Sequence, residues 1–513
     1  MNLRADNFLE KLLVSGLFIT AISLPWSPFG TSLGIGVLAF SWLLAFFRGV
    51  LISPKNRYLL WAMISVFVWH LFGLLWTENL VEGLATLQIK LPILIVPLSL
   101  MTVHWKKEVW MSKVLTSFVV STAIAALSGI ALGWWHVQSG DTLHPSEWSP
   151  FISHIRMGIL LALCQGGLVI YALQDRKLIV PAILYGLVAT AFIWQTQTVT
   201  GAGMLCLATL FGLTHKIIKG SISNVIILIS GALAAIAIIF FLTIFPSAPP
   251  SHLPSHTKWG APYTHMQDKV LEENGNKVWY YLAWAEAKQE WNTRSNYDFD
   301  GKDERSQDIK ITITRYLTSL DLPKDGYTIR NLSEEDIRCI ELGHTSINET
   351  EESGMSLRVD ALRYELGNWL DGGNPSGNSV TQRVIYFQTG IHIIFHKDLQ
   401  TTLLGVGTGD LPDAFVIAYK ELETKLKPQF RHRTHNQYLA WWIAGGLLAL
   451  ILWVLVLVFS WKRDLNWLAI GRLSWWIVVL SCLAEDTLET QAGVTFAVFS
   501  IVLFSISNAK SRK

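Results

Sequence analysis

The chain has 513 residues, of which 51% are hydrophobic and 16% are charged, and it contains 23 tryptophans. This composition excludes a string of ordinary soluble domains and indicates a polytopic membrane protein. The formal net charge of +2 carries no information about a partner. Three of the four cysteines lie inside apolar runs and Cys339 stands alone in a polar segment, so no disulfide framework is expected.

Twelve apolar runs are long enough to cross the roughly 30 Å of hydrocarbon in a bilayer. The first run is followed by no small-residue cleavage site and leads directly into the second, so we expect it to remain as a membrane anchor. The sequence therefore predicts an all-α polytopic membrane protein with about twelve transmembrane helices. The runs lie near residues 8–26, 30–47, 58–76, 84–103, 110–133, 157–173, 178–196, 199–214, 222–245, 437–461, 466–484 and 490–507.

Lysine and arginine in the short connections fall on one side of this arrangement, whereas the alternate connections are mainly acidic. Because positive charge is retained in the cytoplasm, both termini are predicted to be cytoplasmic. The same alternation places residues 246–436 outside, which in a bacterium is the periplasm. The chain is thus predicted to have nine spans in residues 1–245, one large periplasmic loop domain in residues 246–436, and three spans in residues 437–513.

The predicted loop is not a disordered linker, because apolar-periodic stretches alternate in it with turn signals. Residues 309–314 alternate like a strand, but Arg315 and the residues after it fit a helix equally well, which leaves that choice open. The spacing of Gly405, Gly407 and Gly409 fits neither helix nor strand and predicts a turn. A mostly helical domain is expected, with helices over Val278–Trp291, Met355–Leu370, Ser379–Phe395 and Asp413–Lys427.

The polar segment meets the tenth span at residues 431–438, which read Arg-His-Arg-Thr-His-Asn-Gln-Tyr. Arg431 and Arg433 place cationic donors at the membrane surface, where they would suit an anionic, lipid-linked substrate or simply meet lipid headgroups. Asn436 is polar where a helix begins, and a helix start suits anions. A histidine can be neutral near pH 7 and accept a proton, so His435 is a candidate base, or else a structural histidine.

Ionisable groups at the ends of spans are functional candidates, because their burial in a bilayer is costly. His154 and Arg156 stand at the outer mouth of the sixth span, where the arginine could hold a phosphate or serve as an interfacial anchor. Lys90 lies roughly two turns into the fourth span, where it could meet a substrate or, more simply, snorkel towards the headgroups. The last external connection has carboxylates that could orient an arginine or histidine, bind a divalent cation or stay solvated: Glu485, Asp486 and Glu489, followed by Gln491.

The Gly-x-Gly-x-Gly turn can expose backbone N–H groups to an anion, but it follows a helix and lacks the Lys-Ser/Thr of a P-loop. No catalytic Ser/His/Asp order, metal-ligand spacing or nucleotide fingerprint stands out in the sequence. A nucleic acid is not an expected partner, because the polar domain is predicted to lie outside the membrane. No nucleotide-sugar or ATP pool is expected there, so an energy-rich donor would have to arrive attached to lipid.

Taken in order, these features resemble the O-antigen ligase family of bacterial membrane proteins, which includes O-antigen polymerases and some protein O-oligosaccharyltransferases. The resemblance covers nearly the whole chain. It rests on the twelve spans, the large loop, an arginine helix from Arg383 to the glycine turn at 404–410, and the Thr-His-Asn-Gln-Tyr-Leu motif at 434–439 with a later Gly-Gly pair. Four further stretches look like the Bacteroidetes version of the family: 153–156, 315–319, 374–380 and 485–491.

The resemblance implies transfer of a glycan from an undecaprenyl-pyrophosphate carrier to an acceptor hydroxyl at the periplasmic face of the inner membrane. It implies inversion at the transferred sugar and neither a metal nor another cofactor. Arg383 matches the family's loop arginine and would neutralise charge developing on the pyrophosphate. His435 matches the family's histidine and would deprotonate or orient the hydroxyl. The implied partners are the lipid-linked donor, the bilayer and an acceptor, with lipid A-core the leading expectation, and no nucleic acid.

One position departs from the family pattern. Many members have a Ser-Arg pair at the start of the eighth span, where this chain reads Thr-Val-Thr-Gly at 198–201. Arg156 is the candidate for the second phosphate contact in its place.

The sequence does not choose the acceptor. A polymerase that joins repeat units, or a transferase to protein hydroxyls, would use the same donor site as a ligase. From a different class, the chain could be a transporter of lipid-linked sugars. Transporters often contain internal inverted repeats, and none is visible here, while a large folded loop is better explained by catalysis.

Overall fold

The computed structural model describes residues 7–140, 143–214, 253–351, 355–396, 398–461 and 469–506. Of these described residues, 71% are helical and almost none are in sheet, so the prediction of an all-α membrane protein is confirmed. Seven helices in the described ranges are long and apolar enough to cross a membrane. The ninth predicted span, near residues 222–245, and the predicted boundary at residue 245 lie outside the described residues.

The N-terminal region is a series of apolar helices. Six of the seven candidate spans lie in it, from Pro28–Phe47 to Arg176–Thr196, and Val199–Thr214 is a shorter apolar helix. Its helices are α1 (Asn7–Ser23), α2 (Pro28–Phe47), α3 (Arg57–Phe72), α4 (Leu80–Thr102), α5 (Lys107–Gln138), α6 (His154–Ala172), α7 (Ile179–Thr196) and α8 (Val199–Thr214).

The middle of the chain consists of shorter helices with a single hairpin of two-residue strands, β1 (Glu272–Glu273) and β2 (Asn276–Lys277), among the residues described. Its helices are α9 (Trp284–Arg294), α10 (Ile309–Ser319), α11 (Gly326–Arg330), α12 (Glu334–Glu341), α13 (Asn348–Glu351), α14 (Met355–Leu370), α15 (Ser379–Phe395), α16 (Leu399–Leu404) and α17 (Leu411–Glu421). The C-terminal helices are α18 (Gln437–Ser460), α19 (Ala469–Ala484) and α20 (Gln491–Ile506).

The described residues form two compact units. The first comprises those within 1–232, 385–424 and 431–513, and the second those within 233–384 and 425–430. The first unit contains all seven candidate spans. In the second unit, buried Trp291, Ile313, Tyr316 and Ile340 form the centre of a separate hydrophobic core.

Side chains that cap the membrane helices explain where several of them begin. The Ser27 hydroxyl accepts from the Gly30 amide before α2, and proline occupies the first helical position. Asn56 caps α3 and Asn79 caps α4 in the same way. Each cap satisfies an amide that has no partner inside its helix.

Two predicted helices have different bounds in the structure. The predicted helix from Val278 begins only at Trp284, because residues 278–281 form turns and Leu282 exchanges backbone hydrogen bonds with Thr264. The predicted Asp413–Lys427 helix is α17, which ends at Glu421 two residues before Glu423 takes a positive φ of 45°. Residues 309–314 belong to helix α10, so the choice between strand and helix is resolved, and α14 and α15 have the predicted bounds.

Helix α18 is broken at Gly446, where φ is 70°. The glycine turn after α16 fits into this break: the Val406 amide donates to the Ile443 carbonyl at 2.9 Å and the Gly407 amide to Ala444 at 3.1 Å. Trp69 of α3 donates to the neighbouring Gly445 carbonyl at 2.7 Å. Carbonyls released by the break therefore find protein donors, which non-helical backbone within a membrane requires.

We expect Gly446→Ala to destabilise the protein. An added Cβ would lie 2.1 Å from the Leu403 carbonyl oxygen, and the positive φ would itself cost about 1–3 kcal/mol for a residue with a side chain. The measurement is thermal unfolding of the purified protein in detergent. Gly203→Ala in α8 is the control, because a Cβ there meets nothing within 4 Å. Equal unfolding temperatures for the two variants would show that the break is not needed.

Candidate functional site

The candidate site lies where α18 begins, beside the connection between α19 and α20. Asn436 caps α18 by accepting from the Leu439 amide at 3.0 Å, and its side-chain nitrogen donates to the Leu483 carbonyl at 3.0 Å. Thr434 tightens the preceding turn, since its hydroxyl accepts from the Asn436 amide at 3.0 Å. These contacts fix the backbone on both sides of His435.

His435 has a left-handed backbone with φ of 48°, an uncommon conformation for a residue with a side chain. Its Nδ1 lies 3.1 Å from Oε2 of the buried Glu485, and its ring stacks on Tyr386 with centroids 5.6 Å apart. The His435 side chain is 30% exposed. Such strained positions persist where surrounding contacts over-determine them, and they cluster at functional sites.

A second charged pair lies beside this dyad. Arg433 Nη2 is 3.6 Å from Oδ2 of Asp486. Burial raises the pKa of the Asp486 carboxyl, and the opposing effects of Arg433 and His435 only partly offset it. Arg156, at the start of α6, interacts electrostatically with Asp486, Glu485 and Arg433. The structure therefore brings together five groups from three separate regions of the sequence: Arg156, Arg433 with His435, and Glu485 with Asp486.

The third carboxylate of the connection has a different role. Glu489 accepts from Lys90 Nζ at 2.9 Å, from Gln437 Nε2 at 2.9 Å and from Trp441 Nε1 at 2.8 Å. Burial would raise its pKa, but the nearby positive charges and these donors outweigh burial and lower the pKa of Glu489 to about 2. Lys90 is 1% exposed, so it does not snorkel outward but forms a buried ion pair.

Glu489 holds the connection against the start of α18. Both ends of the Gln437 side-chain amide contact this connection: the nitrogen donates to the Glu489 carboxylate, and the oxygen accepts from the Leu488 backbone amide. Gln437 is only two residues from His435, and Leu488 is three residues from Glu485. This clamp therefore sets the separation of the histidine and its carboxylate partner.

The glycine turn is packed rather than open. An added Cβ would lie 2.4 Å from the Ala444 carbonyl oxygen at Gly405 and 2.2 Å from that of Asn79 at Gly409. The amides of Val406 and Gly407 donate to α18 carbonyls. The glycines thus permit close backbone packing, and the structure gives no support to an anion cradle formed by these two amides.

The remaining predicted residues belong to other parts of the chain. His154 begins α6 two residues before Arg156, and Arg431 interacts electrostatically with Tyr419. The backbone carbonyl of His432 accepts from the Tyr419 hydroxyl at 2.6 Å, and burial followed by the His435 charge lowers the pKa of His432. Arg383 belongs to the second unit and precedes Tyr386 by three positions in α15.

Several residues of the site were missed by sequence reasoning. Tyr386 stacks on the candidate base, Gln437 clamps the acidic connection and Trp441 donates to Glu489. Gln437 carried the clearest signal, because an amide in the first turn of a membrane helix is costly without partners. Tyr386 and Trp441 look like ordinary aromatic residues in their sequence context.

A divalent cation is an alternative occupant of the site. One ligand atom each from His435, Glu485 and Asp486 lie within 4.8 Å of one another. Two arginines act on the same carboxylates, however, and their positive charges oppose a cation while favouring an anion. The cluster therefore suits a base beside an anion more than it suits a metal.

No family model matches the chain, and no curated protein matches it.

We expect Glu489→Ala to destabilise the protein by about 3–5 kcal/mol, because it leaves the Lys90 charge buried without its partner. Thermal unfolding in detergent measures the effect. Replacing both residues, with Lys90→Met and Glu489→Leu, should restore much of the stability, since the uncompensated charge is then removed. Glu421→Ala is the control, because that carboxylate is half exposed. A double variant as unstable as Glu489→Ala would contradict the ion-pair account.

Proposed function

We propose that the chain is a membrane glycosyltransferase of the O-antigen ligase type. It moves a glycan from an undecaprenyl-pyrophosphate carrier to an acceptor hydroxyl. The observation that carries the proposal is the pairing of His435 with Glu485 next to Arg433, at the start of a membrane helix. A base and guanidinium groups at a membrane surface suit a hydroxyl nucleophile and a lipid-borne phosphate leaving group.

The proposed topology has twelve spans, cytoplasmic termini and residues 246–436 in the periplasm of a bacterium, with the protein in the inner membrane. The distribution of lysine and arginine supports it. Contacts within the first unit agree with that sidedness: Asp410 accepts from the Glu78 and Asn79 amides before α4, and Glu485 meets His435 before α18. The predicted outer ends of these helices are thus close to one another.

In the proposed reaction, His435 Nε2 takes the proton from the acceptor hydroxyl while the oxygen attacks the anomeric carbon of the donor. A glycosidic C–O bond forms as the C–O bond to pyrophosphate breaks, and the pyrophosphate leaves with the electron pair on its carrier lipid. Glu485 accepts from Nδ1–H and so favours the tautomer with a free Nε2. It also stabilises the imidazolium that forms. Attack opposite the leaving group inverts the anomeric centre.

Positive side chains would stabilise the leaving group. A guanidinium has five N–H donors, so the contact of Arg433 with Asp486 leaves capacity for a phosphate oxygen. Arg156 adds a second positive charge near the same carboxylates and takes the place of the arginine missing from 198–201. Arg383 is the third arginine of the proposal, on the grounds of the family resemblance.

The proposed acceptor is lipid A-core, and no cofactor takes part. A polymerase or a protein O-oligosaccharyltransferase would share the donor site and differ in the hydroxyl that attacks. Incubation of the purified protein and lipid-linked donor with lipid A-core, with free glycan and with unfolded periplasmic protein separates these acceptors. Transfer to lipid A-core alone is the expected result.

We expect His435→Ala to lower turnover by about 100- to 10,000-fold, the usual contribution of a general base. Binding of the lipid-linked donor should persist, because the arginines remain. The measurement is single-turnover transfer with purified protein and saturating donor. His432→Ala is the matched control, since the side chain of that neighbouring histidine has no part in the proposed chemistry. Equal losses in both variants would remove His435 from its role as base.

Chelation tests the competing metal account. Transfer should be unaffected by EDTA, because the proposed base needs no ion. Full loss of transfer on chelation, with recovery after addition of a divalent metal, would instead make His435, Glu485 and Asp486 ligands.

We expect Arg383→Ala to slow transfer by about 100-fold or more, comparable to the loss of one donor to a developing oxyanion. Arg383→Lys should recover only part of the rate, because a point charge replaces a bidentate fork. Initial rates measured at equal amounts of folded protein provide the test. Arg338→Ala, which alters an arginine of α12 in the same unit, is the control. Near-normal transfer in Arg383→Ala would exclude that residue from the site.

A further inference from the structure

The second half of α15 runs alongside the start of α18 in the same direction. Tyr386 stacks on His435, Gly390 approaches Leu439 so closely that a Cβ would lie 2.6 Å from its side chain, and Phe395 meets Trp442 with ring centroids 5.7 Å apart. Residue numbers rise together along both segments. The second half of α15 therefore lies in the same environment as the start of α18.

The chain stays beside α18 after α15 ends. Trp442 Nε1 donates to the Thr402 carbonyl of α16 at 3.1 Å, and the following glycine turn is hydrogen-bonded to the carbonyls of Ile443 and Ala444. Ala444 lies seven residues beyond Gln437, which is roughly 10 Å along the helix at 1.5 Å per residue. Beyond the glycine turn, the Asp410 carboxylate accepts from the two backbone amides that precede α4.

Four large apolar side chains of this segment are exposed, beside exposed polar residues that include Gln388 and Gln400. Phe387 and Phe395 are 48% and 59% exposed and lie eight residues apart in α15, on one face of the helix. Leu399 and Leu403 of α16 are 73% and 43% exposed and lie four residues apart. A patch of large apolar side chains in water would be unfavourable at about 25 cal/mol for each Å² exposed.

We infer that Phe387, Phe395, Leu399 and Leu403, here called the apolar stripe, are inserted among the acyl chains of the membrane leaflet at the candidate site. The stripe lies next to α18, the most apolar of the candidate spans, whose residues Ile451, Val454 and Val458 form a similar exposed face further along. A lipid surface that covers the exposed face of α18 also reaches the apolar stripe. An insertion of about 5–10 Å is typical of interfacial amphipathic helices.

Polar groups of the segment agree with an interfacial depth. His392 pairs with Glu421 at 3.1 Å and stacks on His396 at 4.4 Å. Asp398 caps α16 through the Thr401 amide. The segment thus combines apolar side chains that suit acyl chains with polar side chains that suit headgroups or water.

The test uses single cysteines at Leu399 and Leu403, labelled with a nitroxide in a Cys206→Ser background, because Cys206 is the one exposed native cysteine. Asp413→Cys and Lys420→Cys, exposed positions on the neighbouring α17, are the controls. In lipid nanodiscs, the Leu399 and Leu403 labels should collide at least several-fold more with oxygen than with a water-soluble nickel chelate. The control labels should show the reverse preference.

Two results would overturn the inference. Nickel accessibility at Leu399 and Leu403 equal to that of the controls would place the apolar stripe in water. Protection from both oxygen and nickel would show that a protein surface covers it, either another chain or a second copy of this one. Neither result depends on transfer activity, so the proposed function stands or fails separately.

Discussion

The buried charge of Lys90 constrains the arrangement of the site. An ammonium group inside a membrane helix is costly unless it is paired, and Glu489 supplies the partner at 2.9 Å. The same carboxylate accepts from Gln437 and Trp441, so satisfying Lys90 also fixes the acidic connection to the first turns of α18. Glu485 consequently lies where it can meet His435, and Asp486 where it can meet Arg433.

Glu489 and Asp486 differ in the direction in which their surroundings shift the carboxyl pKa. The pKa of Glu489 is lowered to about 2, so that carboxylate remains ionised over the pH range in which enzymes work. The pKa of Asp486 is instead raised by burial, although Arg433 opposes the shift. An ionised Glu489 suits a structural role, while the pairs of His435 with Glu485 and of Arg433 with Asp486 can respond to an incoming anion.

Much of the architecture was predictable because apolar length and helical periodicity are local properties. Helices α14 and α15 begin and end as the sequence indicates. The break at Gly446 was not predictable, because apolar residues continue on both sides of it. The carbonyls that it releases accept hydrogen bonds from a turn about 40 residues earlier in the chain. The non-helical segment before Trp284 was missed for the same reason, since Thr264, the partner of Leu282, is distant in sequence.

The site shows the same division between local and distant information. His435 was identifiable from a polar motif at a helix start, and the carboxylates from their position between spans. The sequence allowed these carboxylates to orient an arginine or histidine but did not select the pair, because 50 residues separate His435 from Glu485 and three carboxylates were available. Lys90 was expected to reach outward, and only the fold shows that Glu489 lies within its reach.

The most direct test of the central claim follows both products of one reaction. Purified protein in proteoliposomes receives a lipid-pyrophosphate-linked glycan and lipid A-core, and glycosylated acceptor and free undecaprenyl pyrophosphate are quantified together. The account predicts that the two appear in equal amounts. Movement of the intact lipid-linked glycan across the bilayer, with no release of the carrier, would contradict it and indicate a transporter.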